Sequence, residues 1–229
     1  SRIAAVGGSI TEIVYALGEE ARLVARDSTS TYPQAALKLP DVGYMRALSP
    51  EGVLSVDPSG ILALEGSGPK ETVDVLNKAS VPYIEVPEAF DEEGILEKIR
   101  VVGQALGVED KAAELSENVK VDIDAARELT VGISERKRVM FILSVQDGKL
   151  MASGAGTAAD GIIRLAGAVN SVEGFSGYKQ LSDEAALMAR PDVILTMDRG
   201  DGDHASADAE MLSQSAIAAT PAARQKAFI

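Results

Sequence analysis

The sequence has no cysteine. Disulfides, thiolate metal centres, thiol nucleophiles and a lipid-modified cysteine are excluded within these 229 residues, and the absence fits any compartment. Histidine occurs once, as His204, so neither an H-E-x-x-H motif nor a histidine pair at zinc-ligand spacing can be drawn. Ser9 and Ser144 have no histidine close in sequence to activate them, and no catalytic set stands out. Long hydrophobic runs are also missing: Val139-Met140-Phe141-Ile142-Leu143, the longest near the middle, falls far short of the roughly 20 residues a membrane-spanning helix needs. Positive charge is scarce, with 22 Lys and Arg against 35 Asp and Glu, a net charge of −13. That sign repels phosphate backbones and anionic lipid, so nucleic acid is not an expected partner. No basic-then-apolar leader follows Ser1, which reads either as a cytosolic protein or as one whose signal segment has been removed.

What is present suits a globular chain. With 46% hydrophobic and 25% charged residues it can bury a core, as one large domain or as two lobes of about 100–120 residues. From Arg2 onward, short apolar runs alternate with helix-like segments. Ile3 to Val6 reads as a strand, Gly7-Gly8-Ser9 as a tight turn, and Ile10 to Leu17 as a helix closed by Gly18. Ile61 to Leu64 and Tyr83 to Val86 read as strands, Lys70 to Lys78 and Asp91 to Leu106 as helices, which predicts an α/β lobe with a largely parallel sheet. Leu115, Val119, Ile123, Ala126 and Leu129 then recur at helical spacing with no Pro or Gly before Gly132, predicting one long rigid helix from Val108 to about Ile133. Strand character restarts at Arg138. The expected organisation is an N-terminal α/β lobe over 1–107, a linking helix over 108–134 and a C-terminal α/β lobe over 135–229, with a ligand cleft between the two similar lobes.

An internal repeat supports that division. At a constant separation of 133 positions, Leu48 matches Leu181, Ser49 matches Ser182, Glu51 matches Glu184, Leu54 matches Leu187, Pro58 matches Pro191 and Ile61 matches Ile194. The strand-glycine-helix opening recurs as well, from Gly8-Ser9 to Gly18 and from Gly156-Thr157 to Gly167. The second lobe reaches Phe228-Ile229 where the strand matching Tyr83 to Val86 should begin, so a final strand and helix are expected to be absent.

Three constellations carry chemical content. Tyr44-Met45-Arg46 sets a phenol and a guanidinium two residues apart, on one side if the segment is extended; an adjacent arginine favours the phenolate, a ferric-iron ligand, while the plain alternative is a surface tyrosine packed on an arginine. Gly154-Ala155-Gly156-Thr157-Ala158-Ala159 fits the dinucleotide pattern G-x-G-x-x-A with Glu173 downstream, but the hairpin signal Asp147-Gly148 intervenes after the strand, which favours a simple turn with Thr157 as helix cap. The acidic run from Asp198 to Asp208 lacks the distal glutamate of a calcium loop and reads as solvated.

The stretches Thr29-Ser30-Thr31-Tyr32-Pro33, Leu39 to Gly52 with its Gly43-Tyr44-Met45-Arg46 segment, and Gly154 to Asp160 resemble the haem-binding periplasmic proteins of bacterial haem ABC importers. These belong to a helix-linked class that includes cobalamin and siderophore binders. The resemblance covers essentially the whole chain. It implies a non-enzymatic periplasmic solute-binding protein, acting as a monomer, that captures haem b as cargo and delivers it to an ABC transporter permease dimer, with an outer-membrane haem receptor system upstream. It further implies Tyr44 as the axial iron ligand, with Arg46 hydrogen-bonding and charge-stabilising its phenolate. Some members add a histidine, expected near Ser144-Val145-Gln146; none stands there, and His204 in its polar loop is the remaining candidate, which leaves the sixth position open. Relatives dock on the permease through one glutamate per lobe, a role the repeat gives to Glu51 and Glu184, although an acid in a helix's first turn also has a local explanation in the helix dipole. The alternatives are a cobalamin or ferric-siderophore carrier of the same class and, from another class, a nucleotide-dependent α/β enzyme.

Overall fold

A computed structural model describes residues 1–146, 148–197, 211 and 213–229. His204 and the acidic run around it lie outside the described residues. The chain divides into two compact units, Ser1–Asp122 and Ile123–Ile229.

The first unit is built on a four-stranded parallel sheet of β1 (Ile3–Val6), β2 (Leu23–Arg26), β3 (Gly60–Leu64) and β4 (Tyr83–Val86), in the order β2-β1-β3-β4. β1 and β3 are buried along their whole length, the mark of parallel strands covered on both faces, and this explains their uninterrupted apolar sequences. The crossovers carry α1 (Gly8–Ala16), α2 (Pro50–Leu54) and α3 (Lys70–Lys78), and α4 (Glu92–Leu106) follows β4. Asp91 caps α4 by accepting the Gly94 N–H, and left-handed Gly107 ends it. The helix α5 (Glu109–Glu128) begins at once, with Ala112 so close to Gly103 of α4 that a β-carbon on Gly103 would collide with it.

The division between the units falls inside α5, between Asp122 and Ile123. The helix stops short of the expected Ile133. Thr130 turns its hydroxyl back on the Arg127 carbonyl at 2.9 Å, Val131 is β-branched, and Gly132 takes a left-handed φ of 89°, so three successive residues work against another turn.

The second unit departs from the all-parallel plan. β5 (Arg138–Gln146) pairs antiparallel with β6 (Lys149–Ser153), which pairs antiparallel with β8 (Tyr178–Leu181), while β7 (Val169–Asn170) and β9 (Val193–Thr196) run parallel to β5. This antiparallel pairing of β5 with β6 inserts a strand ahead of α6 (Ala158–Leu165). The helix α7 (Asp183–Ala189) leads into β9.

The repeat survives in three dimensions. Ser49 caps α2 and Ser182 caps α7, each hydroxyl accepting the N–H three residues on. After each helix, one non-glycine residue adopts the left-handed conformation at the matching position, Asp57 at φ 49° and Arg190 at φ 43°. Arg2, ahead of β1, donates to the Val56 and Asp57 carbonyls at 2.6 and 2.8 Å, and Arg138, at the start of β5, donates to the Ala189 carbonyl at 3.2 Å. Phe228 bridges Ile194 in parallel register as Tyr83 pairs with Ile61.

Candidate functional site

In open parallel sheets, loops at the carboxyl ends of the strands converge on the place where ligands bind. In the first unit four such loops meet there: Gly7-Gly8-Ser9 after β1, Asp27 to Ser30 after β2, Glu65 to Pro69 after β3 and Pro87 to Asp91 after β4. Asp27 organises the first two. Fully buried, its carboxylate accepts from the Gly7 N–H at 2.9 Å, the Thr29 N–H at 3.0 Å, and the Thr29 and Ser30 hydroxyls at 2.8 Å each. Thr11 extends the network by donating to Ser30 at 2.8 Å.

The Asp41–Leu48 segment is laid against this frame. Arg26 pairs with Asp41 at 3.2 Å, the Ser28 N–H donates to the Gly43 carbonyl at 2.9 Å, and the Val42 N–H donates to the Arg26 carbonyl at 2.9 Å. On its far side the Gly68 N–H donates to the Met45 carbonyl and the Leu48 N–H to the Gly68 carbonyl, both at 2.9 Å. Between these clamps Tyr44 to Ala47 form a turn closed by Ala47 N–H on the Tyr44 carbonyl at 2.8 Å. The segment is thus not extended, and spacing alone does not place its side chains. Burial does: Met45 is sunk into the core at 8% exposure, whereas Tyr44 at 47% and Arg46 are both open to solvent. The turn offers a phenol and a guanidinium on a backbone fixed from both sides.

A second polar group lies at the same edge. Lys98 of α4, almost wholly buried, reaches the Ser9 hydroxyl at 3.2 Å and forms an ion pair with Glu88. The Glu88 N–H in turn donates to the Glu65 carboxylate at 3.0 Å. Burial pushes the Glu12 carboxyl up, and the Lys98 charge partly opposes it. The ammonium ties the loops after β1 and β4 together, a role that neither Ser9 nor Lys98 announces in sequence. Asp27 was equally silent, although Asp followed two and three residues later by Thr and Ser is the pattern of a side-chain-stabilised turn.

The remaining candidates fall elsewhere. Glu51 and Glu184 are exposed, each in the first turn of its helix, α2 and α7, one per unit. Ser144 and Val145 lie half-buried in β5. The Gly154–Ala159 loop is not arranged as a phosphate cradle. It follows an antiparallel strand, its Gly156 N–H is taken by the Asp160 carboxylate at 3.1 Å, and Thr157 caps α6, so an acid stands where a pyrophosphate would have to lie. Glu173 is exposed and faces Arg138 at 3.9 Å. Among the described residues no group of three or more His, Cys, Asp or Glu could hold a metal ion, and no helix is long and apolar enough to cross a membrane.

Comparison with known proteins agrees with this architecture. The chain resembles the periplasmic heme-binding protein RhuT of Roseiflexus sp. RS-1, at 35% identity and a TM-score of 0.93, over 100% of this chain and 88% of that one. It is also similar to the periplasmic heme-binding protein BhuT, solved with two hemes, at 38% identity and a TM-score of 0.91, again over 100% of this chain and 88% of that one. The uncharacterized ABC transporter substrate-binding lipoprotein YvrC of Bacillus subtilis (strain 168) is 30% identical over 200 residues, which are 86% of this chain. The chain spans 63% of that relative's length. The neighbours are two-lobe α/β proteins of the helix-linked class, the fold class expected from the sequence. Residues 3–229 match the family described as periplasmic binding protein, and the chain belongs to that family.

Proposed function

We propose that the chain captures haem b in the periplasm through Tyr44 and hands it, chemically unchanged, to the permease of an ABC importer. The observation that carries this reading is the Tyr44–Ala47 turn: an exposed phenol and, two residues on, an exposed guanidinium, on a backbone clamped from both sides at the carboxyl edge of a parallel sheet. Tyrosine is an established axial ligand of haem iron, and a cation nearby favours the anionic oxygen that ferric iron prefers. The haem-binding relatives support the choice of cargo because they are similar to this chain along its full length. Tyr44 supplies the metal bond and Arg46 the supporting charge. The carboxylate network around Asp27 keeps the platform rigid, so little ordering remains for binding to impose.

Titration with hemin, read from the Soret band, tests the proposal, with cobalamin as the control ligand. Tyr44→Ala should abolish or severely weaken hemin binding and alter the ligand-field spectrum while leaving the circular dichroism unchanged. Arg46→Ala should cost less, about 10- to 100-fold in affinity, as expected for loss of a group that supports a metal ligand. An unaltered Soret spectrum in Tyr44→Ala removes Tyr44 from the site, and saturable binding of cobalamin without hemin moves the protein to the cobalamin branch of its class.

A further inference from the structure

The repeat holds a counterpart of Tyr44 that the function proposed above does not use. Gly43-Tyr44 runs ahead of Ser49, the cap of α2, and Gly177-Tyr178 runs ahead of Ser182, the cap of α7, with one residue fewer between. Both glycines take a positive φ, 99° and 79°. The carbonyl of each accepts an N–H from just beyond a neighbouring strand, Ser28 after β2 donating to Gly43 and Gly154 after β6 donating to Gly177, each at 2.9 Å. Strand pairing then fixes the level of Tyr178 in its sheet. Val6, the last residue of β1, pairs with Ala63, and Ile142 of β5 pairs with Thr196, which lies 133 positions after Ala63. Ile142 therefore marks the carboxyl edge that the repeat gives the second sheet. Ala152 of β6 pairs with Ile142 and Ser153, next to it, pairs with Tyr178, so Tyr178 stands at the edge where ligands collect in such sheets.

The two tyrosines differ in their company. Two residues after Tyr44 stands Arg46, whereas two after Tyr178 stands Gln180, and the adjacent Lys179 holds its ammonium 5.5 Å from the centre of the Phe175 ring. Without a guanidinium two residues on, Tyr178 lacks what fits Tyr44 for ferric iron. What it offers is its ring, 39% exposed as a residue and packed against Phe141 in a T-shaped pair with centroids 6.3 Å apart. Resting on the haem capture proposed above, we infer that Tyr178 holds the porphyrin macrocycle by ring contact, while the iron is left to Tyr44. A porphyrin is a flat aromatic surface, and an aromatic side chain steadied by a neighbouring ring suits it better than an aliphatic one.

The test combines hemin titration of variants with a measurement on the unaltered chain. Tyr178→Leu keeps an apolar side chain and loses the ring; it should weaken hemin binding about 3- to 10-fold, with the Soret and ligand-field bands at saturation unchanged. Tyr178→Phe keeps the ring without the oxygen and should bind as the wild type does. In the wild-type chain, gallium(III) protoporphyrin IX serves as a diamagnetic stand-in for hemin in NMR. The ring signals of Tyr178, identified among the five tyrosines by their loss in Tyr178→Phe, should move upfield under the porphyrin ring current. Signals that stay in place overturn the contact, as does full affinity in a folded Tyr178→Leu. A loss in Tyr178→Phe equal to that in Tyr178→Leu, or an altered ligand-field spectrum, gives the role to the oxygen and overturns the ring contact too. A wild-type protein with no Soret band after hemin addition sinks the haem reading instead, a failure distinct from that of Tyr178.

Discussion

Tyr83 carries a hydroxyl sealed from solvent without a hydrogen-bond partner, and burial, helped by the neighbouring Glu85 charge, pushes its ionisation from 10.0 up to about 12. The raised value means that the folded chain holds this proton more tightly than the unfolded one. The associated stability is present in full below pH 10 and is lost as the pH rises from there through about 12. Tyr83→Phe removes the unpaired oxygen and keeps the ring. It should be neutral or stabilising at pH 7, and it should flatten the alkaline fall in stability, by about 1 kcal/mol or less once solvent screening is counted, in urea titrations at pH 9 and 11. A Phe variant losing stability at both pH values would mean that the hydroxyl has a partner after all. The same scale shows why the site was only half legible. Tyr44 and Arg46 stand out as candidates because the Gly43-Tyr44-Met45-Arg46 segment carries the resemblance to haem binders, while their spacing alone also fits a plain surface pair. Asp27, Lys98 and Ser9 act through partners far away in sequence, such as Lys98 on Ser9, and only the folded chain brings those together.

At the level of elements, the fully buried strands β1 and β3 and the Val139–Ile142 stretch of β5 announce themselves as apolar runs, and α3 and α4 as amphipathic repeats, α4 capped by Asp91 and ended by Gly107. β8 does not. Its sequence Tyr-Lys-Gln-Leu leaves three of four residues exposed, so no hydrophobic period marks it, and it exists because β6 offers a partner edge. The Gly154-Ala155-Gly156 turn shows two glycines serving different physical ends. A β-carbon on Gly154 would lie 2.3 Å from the Phe175 carbonyl oxygen, a backbone atom, whereas Gly156 has open space but a left-handed φ of 70°. Gly154→Ala should therefore destabilise by about 2 kcal/mol or more, and Gly156→Ala by only about 1 kcal/mol. Equal losses in thermal unfolding would show that the Phe175 segment moves aside freely.

For the molecule as a whole, the pairing of Glu51 with Glu184 gives each unit one exposed acid at the same point of the repeat. Each adds about 0.3–1 kcal/mol through its helix dipole, so a single loss is a small matter for folding. The docking role that the resemblance to haem importers implies for the pair makes a larger demand. Glu51→Arg with Glu184→Arg should leave the hemin spectrum intact and sharply reduce haem transfer to the reconstituted importer, the two reversals together costing more than either alone. Undiminished transfer by the double variant returns both to the status of helix-start acids. The two-unit plan itself was readable from the repeat, since its register survives in the caps, in the left-handed corners Asp57 and Arg190, and in the Ile61 and Ile194 pairings. What the repeat concealed was the antiparallel insertion of β6 and β8, which leaves the matched residues in place and changes what surrounds them.

That register gives the protein an internal control. Ser49 and Ser182 are the same cap ahead of the same acid, and Arg2 and Arg138 grip the same carbonyl position from different sheets. A substitution made at one position can be repeated 133 residues later in the same chain, at the same pH and temperature and in the same unfolded background. Any difference between the two outcomes then belongs to the surroundings, so the cost of a helix cap and the cost of its context, normally inseparable, become two measurements on one molecule.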